Sequence, residues 1–524
     1  MSKTKLIDLP LSGIRQVLQT IGAEKLGEDG WLGSKAAGPK SFDSYEGWKR
    51  DALEKDDASG MTAWKDIDET SLYDFAAIRA RRDALRKMLK DHDDHGLLFA
   101  LNEGLHGNMD GIGKTALYQQ AAIGTKVLIT EYIDAICEGL HHLAHCTNSG
   151  ISEDEKTDFF RRAHVCYGSS ALLLSGGGIY GNFHVGLVKT LIEQDLLPSV
   201  ISGSSAGSLI AAVVGTHTRD ELGELLNERH LQVESEYAEQ VIKGMFAGVF
   251  DVQQISRHIE RLIPNLTFAE ALKRTGIHIN ITVSPKDMHQ QPRLLNAVTS
   301  PNVYVRSAVL ASCSVPGVFP PAMLVAKNRN GNPQPYLPTR RWYDGSMSDD
   351  IPAKRLARLY GVNHFIVSQV NPFALPMSRE YSSRLAPYGA LIQLYRRSSL
   401  GVATTVQDLF NRYGSRWPGI NFALNGVVSL LAQEYKGDIN IMPDMGMVKP
   451  WRGMTTPTRG ELREIIHAGE RATWPKVEMI RNCTKIARML GGILKQREGQ
   501  PAVGRHIITR PVAKKTRAKK SAAA

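Results

Sequence analysis

The sequence predicts an α/β domain built on a mainly parallel sheet, flanked by N-terminal and C-terminal helical regions. Three observations predict it. After Cys166, short apolar runs bounded by Gly and Pro alternate with segments of helical period. Two of these runs lead directly into glycine-rich loops. On either side of this zone the apolar residues recur at helical spacing instead.

Taken in order, residues 1–44 mix Gly, Pro, Ser and Lys without a sustained period and are expected to be loosely structured. Residues 45–165 form the expected helical N-terminal domain. There Leu72, Phe75, Ile78, Leu85, Met88 and Leu89 share one apolar face, with Arg79, Arg82, Arg86 and Lys90 opposite. Ser71 followed by Asp74 reads as an N-cap with an acidic residue three positions on. A polar stretch over 148–162 marks the boundary. The expected catalytic domain, 166–375, has strand runs at 171–174, 200–201, 277–283 and 364–370, with helices at 185–193 and 208–214 between them. Helical pattern returns over 376–500. Its last helix opens on the capping box Thr458-Arg-Gly-Glu461 and turns Leu462, Ile465, Ile466, Val477 and Ile480 inward. Residues 501–524 read as a basic, disordered tail.

Charge and cysteine usage exclude several function classes. The net charge is +11, but seven of the Lys and Arg lie in 501–524 with no Asp or Glu beside them, which leaves +4 on the other 500 residues. The basicity belongs to the tail and argues against a specific nucleic-acid partner. Five scattered cysteines without a C-x-x-C pair fit neither a disulfide framework nor a structural zinc site, and suit a reducing compartment. No signal peptide is legible and no apolar run reaches the ~18 residues of a membrane span. The expectation is a cytoplasmic protein, peripheral to lipid at most. The weakly amphipathic stretch 420–432 and the basic tail are the candidate surface contacts.

The chemistry lies in two loops and one carboxylate. Gly203-Ser-Ser-Ala-Gly207 follows a strand and opens a helix, as a G-x-S-x-G nucleophile elbow does, with Ser205 at a helix N-terminus. Ser175-Gly-Gly-Gly-Ile-Tyr-Gly181 also follows a strand. Gly176, Gly178 and Gly181 fit a dinucleotide fingerprint, but that reading needs a carboxylate at the end of the next strand, and Glu193 and Asp195 come too early. The alternative is an oxyanion hole made from the bare amides of Gly176, Gly177 and Gly178. Asp344-Gly345 follows the aromatic pair Trp342-Tyr343 and offers a base for Ser205. His364 competes for that role in Ser…Asp…His order, although it opens an apolar strand where a structural histidine is the commoner occupant. Gly111-Ile-Gly-Lys-Thr115 resembles the end of a phosphate loop, but Asn108 stands where the pattern needs glycine.

Gly176-Gly-Gly-Ile-Tyr-Gly181, Gly203-Ser-Ser-Ala-Gly207 and Asp344-Gly-Ser346, in that order, resemble the patatin-like phospholipase family. Trp342-Tyr-Asp-Gly-Ser, the run from His364 to Pro372, and Gly469-Glu-Arg-Ala-Thr-Trp-Pro-Lys476 resemble its storage-triacylglycerol lipase branch. So does the helical region before residue 150; the likeness covers roughly residues 45–490. It implies a patatin-like three-layer domain and a lipid acyl hydrolase with a Ser205–Asp344 dyad and no histidine. The Gly176–Gly178 amides would hold the oxyanion, and Gly181, Gly203, Gly207 and Gly345 would support the motifs. It implies no metal or organic cofactor. The expected partner is a glyceride or phospholipid at a membrane or lipid-droplet surface. Tyr180 departs from the family's usual Arg or Lys and removes a positive charge from the loop. A lipid acyltransferase on the same dyad and a catalytically silent lipid-binding scaffold remain as alternatives.

Overall fold

A computed structural model describes residues 42–147, 150–226, 252–287, 290–316, 319–372, 374–375, 437–444, 447 and 458–498. The apolar stretch 420–432, the basic tail and residues 1–41 lie outside the described residues.

The longer N-terminal helices are Tyr45–Ala58 (α1), Phe75–Asp91 (α2), Val127–His145 (α3) and Glu153–Tyr167 (α4), with the shorter helices Met61–Asp66 and Asp94–Gly104 and two 3-10 turns between them. The cap of α2 is Asp74 itself, whose carboxylate accepts the Ala77 amide, and not Ser71. Asp74 reaches the N3 amide directly, so residues 71–73 stay in the preceding turn. Ile78 and Leu85 of the expected face are buried against α3, where Ile129, Ile133, Ile136, Leu140 and Leu143 line the inner side.

The sheet follows. Its strands are Ser169–Leu174 (β1), Val200–Gly203 (β2), His278–Pro285 (β3) and Arg293–Leu295 (β4). A small hairpin, Val325–Lys327 (β5) with Pro333–Pro335 (β6), stands apart. Trp342–Asp344 (β7), Val362–Ser368 (β8) and Ile439–Ile441 (β9) complete it. Among the described residues the main sheet has seven strands in the order β4-β3-β2-β1-β8-β9, with β7 also on β3. β3, β2, β1, β8 and β9 run parallel, whereas β4 and β7 pair antiparallel to β3. Ala171 to Leu174 are all fully buried, as strands covered by helices on both faces must be.

The covering helices are Asn182–Glu193 (α5) after β1, Ala206–Thr216 (α6) after β2, Val305–Ser312 (α7), and Ala353–Tyr360 (α8) before β8. The C-terminal helix predicted as one piece is two, Arg459–Thr473 (α9) and Val477–Glu498 (α10). A short 3-10 turn with Pro475 joins them, because Pro lacks the amide to continue the α-helical ladder. The Thr458–Glu461 capping box forms, and Leu462, Ile465, Ile466, Val477 and Ile480 are buried.

α9 lies directly on α5, the helix that leaves the first glycine loop. The two backbones touch: a Cβ on Gly186 would stand 1.9 Å from the Ile466 carbonyl oxygen, and one on Gly469 2.1 Å from that of Phe183. Lys189 Nζ bonds Glu470 Oε1 at 2.6 Å beside this crossing. Gly186→Val should therefore push α9 off α5 and destabilise the chain by about 1–3 kcal/mol or more. Thermal unfolding reads the effect, and an unchanged melting temperature would contradict this packing.

Candidate active site

β2 runs into Ser204-Ser205, and Ser205 sits at the sharp turn with φ 48° and ψ −124°, a conformation L-residues rarely hold. Close packing explains the two flanking glycines: a Cβ on Gly203 would be 2.2 Å from Gly207 O, and one on Gly207 2.2 Å from Leu174 O. Such strain, about 1–3 kcal/mol, persists only where the surroundings over-determine it. Here they do. The Ser205 amide donates to Ser312 Oγ at 3.0 Å, and that hydroxyl donates onward to Thr282 O at 2.8 Å. The Ser205 carbonyl accepts from the Ser208 amide, from Ser208 Oγ at 2.7 Å and from Cys313 Sγ at 3.5 Å. Sequence reading missed Ser208, Ser312 and Cys313. Their only signal is a run of small polar residues beside a helix end, which any turn shares.

Asp344 arrives from the other direction. β2 pairs with β3 as far as Gly203–Ile281, and beyond that point β7 takes the same edge, with Asp344 opposite Val283. That edge follows from β4, which pairs with both Ile281 and Val283 on the opposite side. The last residue of β7 is thus set beside the turn that carries Ser205. Asp344 is buried, accepts the Ser346 amide at 2.8 Å, and has the polar side chains of Ser205 and Ser346 beside it. Burial pushes its pKa up to about 6, and those polar groups restrain the rise. Gly345 packs against Thr282 O, where a side chain would collide.

The first glycine loop packs against Ser205 and Ser346. A Cβ on Gly176 would lie 2.7 Å from Ser346 Cβ and 3.2 Å from Ser205 Cβ, and one on Gly181 2.5 Å from Ala206 Cβ. Of the three amides expected as oxyanion donors, that of Gly176 is engaged, donating to Asp350 Oδ1 at 2.8 Å. The Gly177 and Gly178 amides have no acceptor among the described residues. Tyr180 is buried within the loop. Another unpredicted residue, His184, braces the loop's origin. Its Nε2 donates to Ser175 O at 2.9 Å and its Nδ1 accepts from Ser368 Oγ at 2.7 Å. Burial holds its pKa down near 4, which keeps the ring neutral.

His364 lies at the other end of the sheet. It pairs with Ser170, and its Nδ1 is 3.1 Å from that hydroxyl. Four residues of β1 separate this level from Leu174 and Gly203, about 13 Å at strand rise. Glu193 ends α5, and Gly111 and Thr115 lie in 3-10 turns of the N-terminal region, with no strand before them among the described residues. Asp94, His142 and Cys146 bring three metal-type donor atoms within 4.8 Å of one another among those same helices, but His142 Nε2 is already on Asp94 Oδ1 at 2.6 Å.

The chain resembles known proteins over most of its length. Residues 172–357 match the family described as patatin-like phospholipase, and residues 37–165 match a domain of unknown function (DUF3336). Triacylglycerol lipase 4 of Saccharomyces cerevisiae is 34% identical over 84% of this chain and 50% of its own length. Triacylglycerol lipase 5 of the same yeast is 32% identical over 84% of this chain and 62% of its own length. The chain thus spans about half to three-fifths of those two relatives. Triacylglycerol lipase ptl3 of Schizosaccharomyces pombe is 32% identical, with 84% of this chain and 92% of that protein covered.

The buried carboxyl makes stability depend on pH with a definite sign. Asp344 titrates near 6 in the fold, against ~3.9 for an unfolded aspartate. Below about pH 4 both states are protonated and native stability is full. As pH rises through 6 the folded chain must ionise a buried group, and stability is lost. Asp344→Asn should therefore be more stable than the wild type at pH 8, by on the order of 1–3 kcal/mol, with the gap closing towards pH 4. Melting curves across this range check it; a variant less stable at pH 8 would contradict the assignment.

Proposed function

We propose that the chain, which belongs to the patatin-like phospholipase family, hydrolyses the carboxylic esters of lipids with Ser205 as nucleophile and Asp344 as base. The observation that carries this reading is the placement of a strained, strand-end Ser205 beside a buried Asp344 carboxyl whose pKa the serine side chain lowers. Ser205 Oγ attacks the ester carbonyl while its proton passes to Asp344. The Gly177 and Gly178 amides receive the negative charge that forms on the carbonyl oxygen. Asp344 returns the proton to the departing alcohol, leaving an acyl-Ser205. Water then attacks, again giving its proton to Asp344, and the fatty acid leaves as Ser205 is reprotonated. A carboxylate poised near pH 6 is ionised at neutrality yet basic enough to accept that proton. The step needs neither a histidine nor a cofactor.

The substrate class we infer is neutral glyceride. Tyr180 is buried and brings no formal positive charge to the glycine loop, so nothing there favours an anionic headgroup. The relatives named above are triacylglycerol lipases. No helix among the described residues is long and apolar enough to cross a membrane. Contact with a lipid surface is assigned to residues 420–432 and the basic tail.

Fatty-acid release from emulsified triacylglycerol and from phospholipid vesicles tests the reading. Ser205→Ala and Asp344→Asn should each lower kcat by about 10³-fold or more, and the double variant should be little worse than either. His364→Ala should stay within about threefold of wild type, since it removes only a structural contact. Loss of turnover in a folded His364→Ala protein, with Asp344→Asn active, would replace the dyad by a triad. Acyl groups recovered mainly in new esters would make the chain a transferase.

A further inference from the structure

The site holds a second buried carboxyl that the dyad does not use. Asp350 lies six residues beyond Asp344 and is 1% exposed. Its Oδ1 accepts the Gly176 amide at 2.8 Å, and Asn371 Nδ2 approaches its Oδ2 at 3.5 Å. Its main-chain oxygen accepts from Ser204 Oγ at 3.3 Å. One residue thus joins the glycine loop, the nucleophile elbow, the segment that bears the base and the end of β8. A run of three glycines has no side chains with which to fix its own direction. The orientation of its amides is set by whatever its backbone groups bond. The bond from Gly176 to Asp350 fixes the peptide immediately before the two amides that lack an acceptor.

We propose that Asp350 is a positioning residue for the oxyanion site: by holding the Gly176 amide it aims the Gly177 and Gly178 amides at the carbonyl oxygen attacked by Ser205. The proposal rests on the hydrolase reading above. The two carboxyls divide the work by contact, Asp344 with the Ser205 hydroxyl and Asp350 with the glycine loop. Their charge states divide too. Burial pushes Asp350 up to about 8, with the nearby Asp344 charge adding to the push, so Asp344 ionises first. Near neutrality Asp350 is the uncharged partner, and its carbonyl oxygen still accepts from Gly176. An asparagine, neutral and of the same shape, should serve in its place, whereas alanine should not.

The test uses the full chain with a soluble p-nitrophenyl short-chain ester, comparing wild type, Ser205→Ala, Asp350→Asn and Asp350→Ala. Asp350→Ala should lower kcat about 30- to 100-fold with KM within about threefold, the pattern of a contact made to the transition state only. Asp350→Asn should keep kcat within about fivefold of wild type. Hydrogen exchange over 175–181 should quicken in the alanine variant and stay slow in the asparagine variant. If the alanine variant does not fold, the asparagine variant decides: folded by its melting curve but as slow as Ser205→Ala, it overturns the proposal. Wild-type kcat in a folded Asp350→Ala protein also overturns it. Failure of the hydrolase reading has a different signature, namely turnover that survives Ser205→Ala.

Discussion

β3 continues past its neighbour. β2 stops at Gly203, opposite Ile281, and the edge of β3 from there to Pro285 needs another partner for its backbone groups. β7 supplies it. The pairing of these three residues sets the distance between Ser205 and Asp344, because each lies within two residues of the point where one strand ends and the other begins. β7 is short, but it is anchored by the fully buried Trp342 ring and by paired hydrogen bonds between Trp342 and Ala322 at 2.8 and 2.9 Å. The core beneath, formed by Ile281, Val283, Val305, Val309 and Trp342, keeps that register in place. Chain segments some 140 residues apart are thereby brought side by side by strand pairing.

Three backbone approaches complete the arrangement, and each depends on missing side chains. Gly207 lets α6 fold back against the end of β1, Gly176 lets the first loop lie between Ser205 and Ser346, and Gly186 lets α9 press on α5. Polar groups then hold what the glycines leave free to move. Ser312 and Ser208 hold the main chain of Ser205, His184 holds Ser175, and Asp350 holds Gly176. Two buried carboxyls in one site would repel if both were ionised. Their separation, near 6 and near 8, leaves one charge in the site at neutral pH.

Much of this was legible in the sequence, for identifiable reasons. β1, β2, β3 and β8 are apolar runs closed by Gly or Pro, so their period and punctuation were plain. The elbow at Ser205 was legible because strand, glycine spacing and apolar helix agree. β7 has three residues, too few for any period, and only the aromatic pair before Asp344 pointed to it. Asp350 sits in Ser-Asp-Asp, which reads as a solvated turn, and its burial comes from tertiary packing that no local pattern encodes. The same holds for Ser312 and His184. Three glycines look alike in sequence and all read as oxyanion donors, while the structure sets Gly176 apart through its bond to Asp350. The break at Pro475 was legible in principle, but the apolar spacing on both sides of it masked the interruption.

The central claim is that Asp344 activates Ser205 directly. Labelling by a fluorophosphonate, followed by peptide mapping and measured as a rate from pH 4 to pH 9, tests it most directly. The expected result is a single adduct on Ser205 whose rate rises with a midpoint near pH 6 and is lost in Asp344→Asn. An adduct on another residue, or labelling of Asp344→Asn at the wild-type rate, would contradict it.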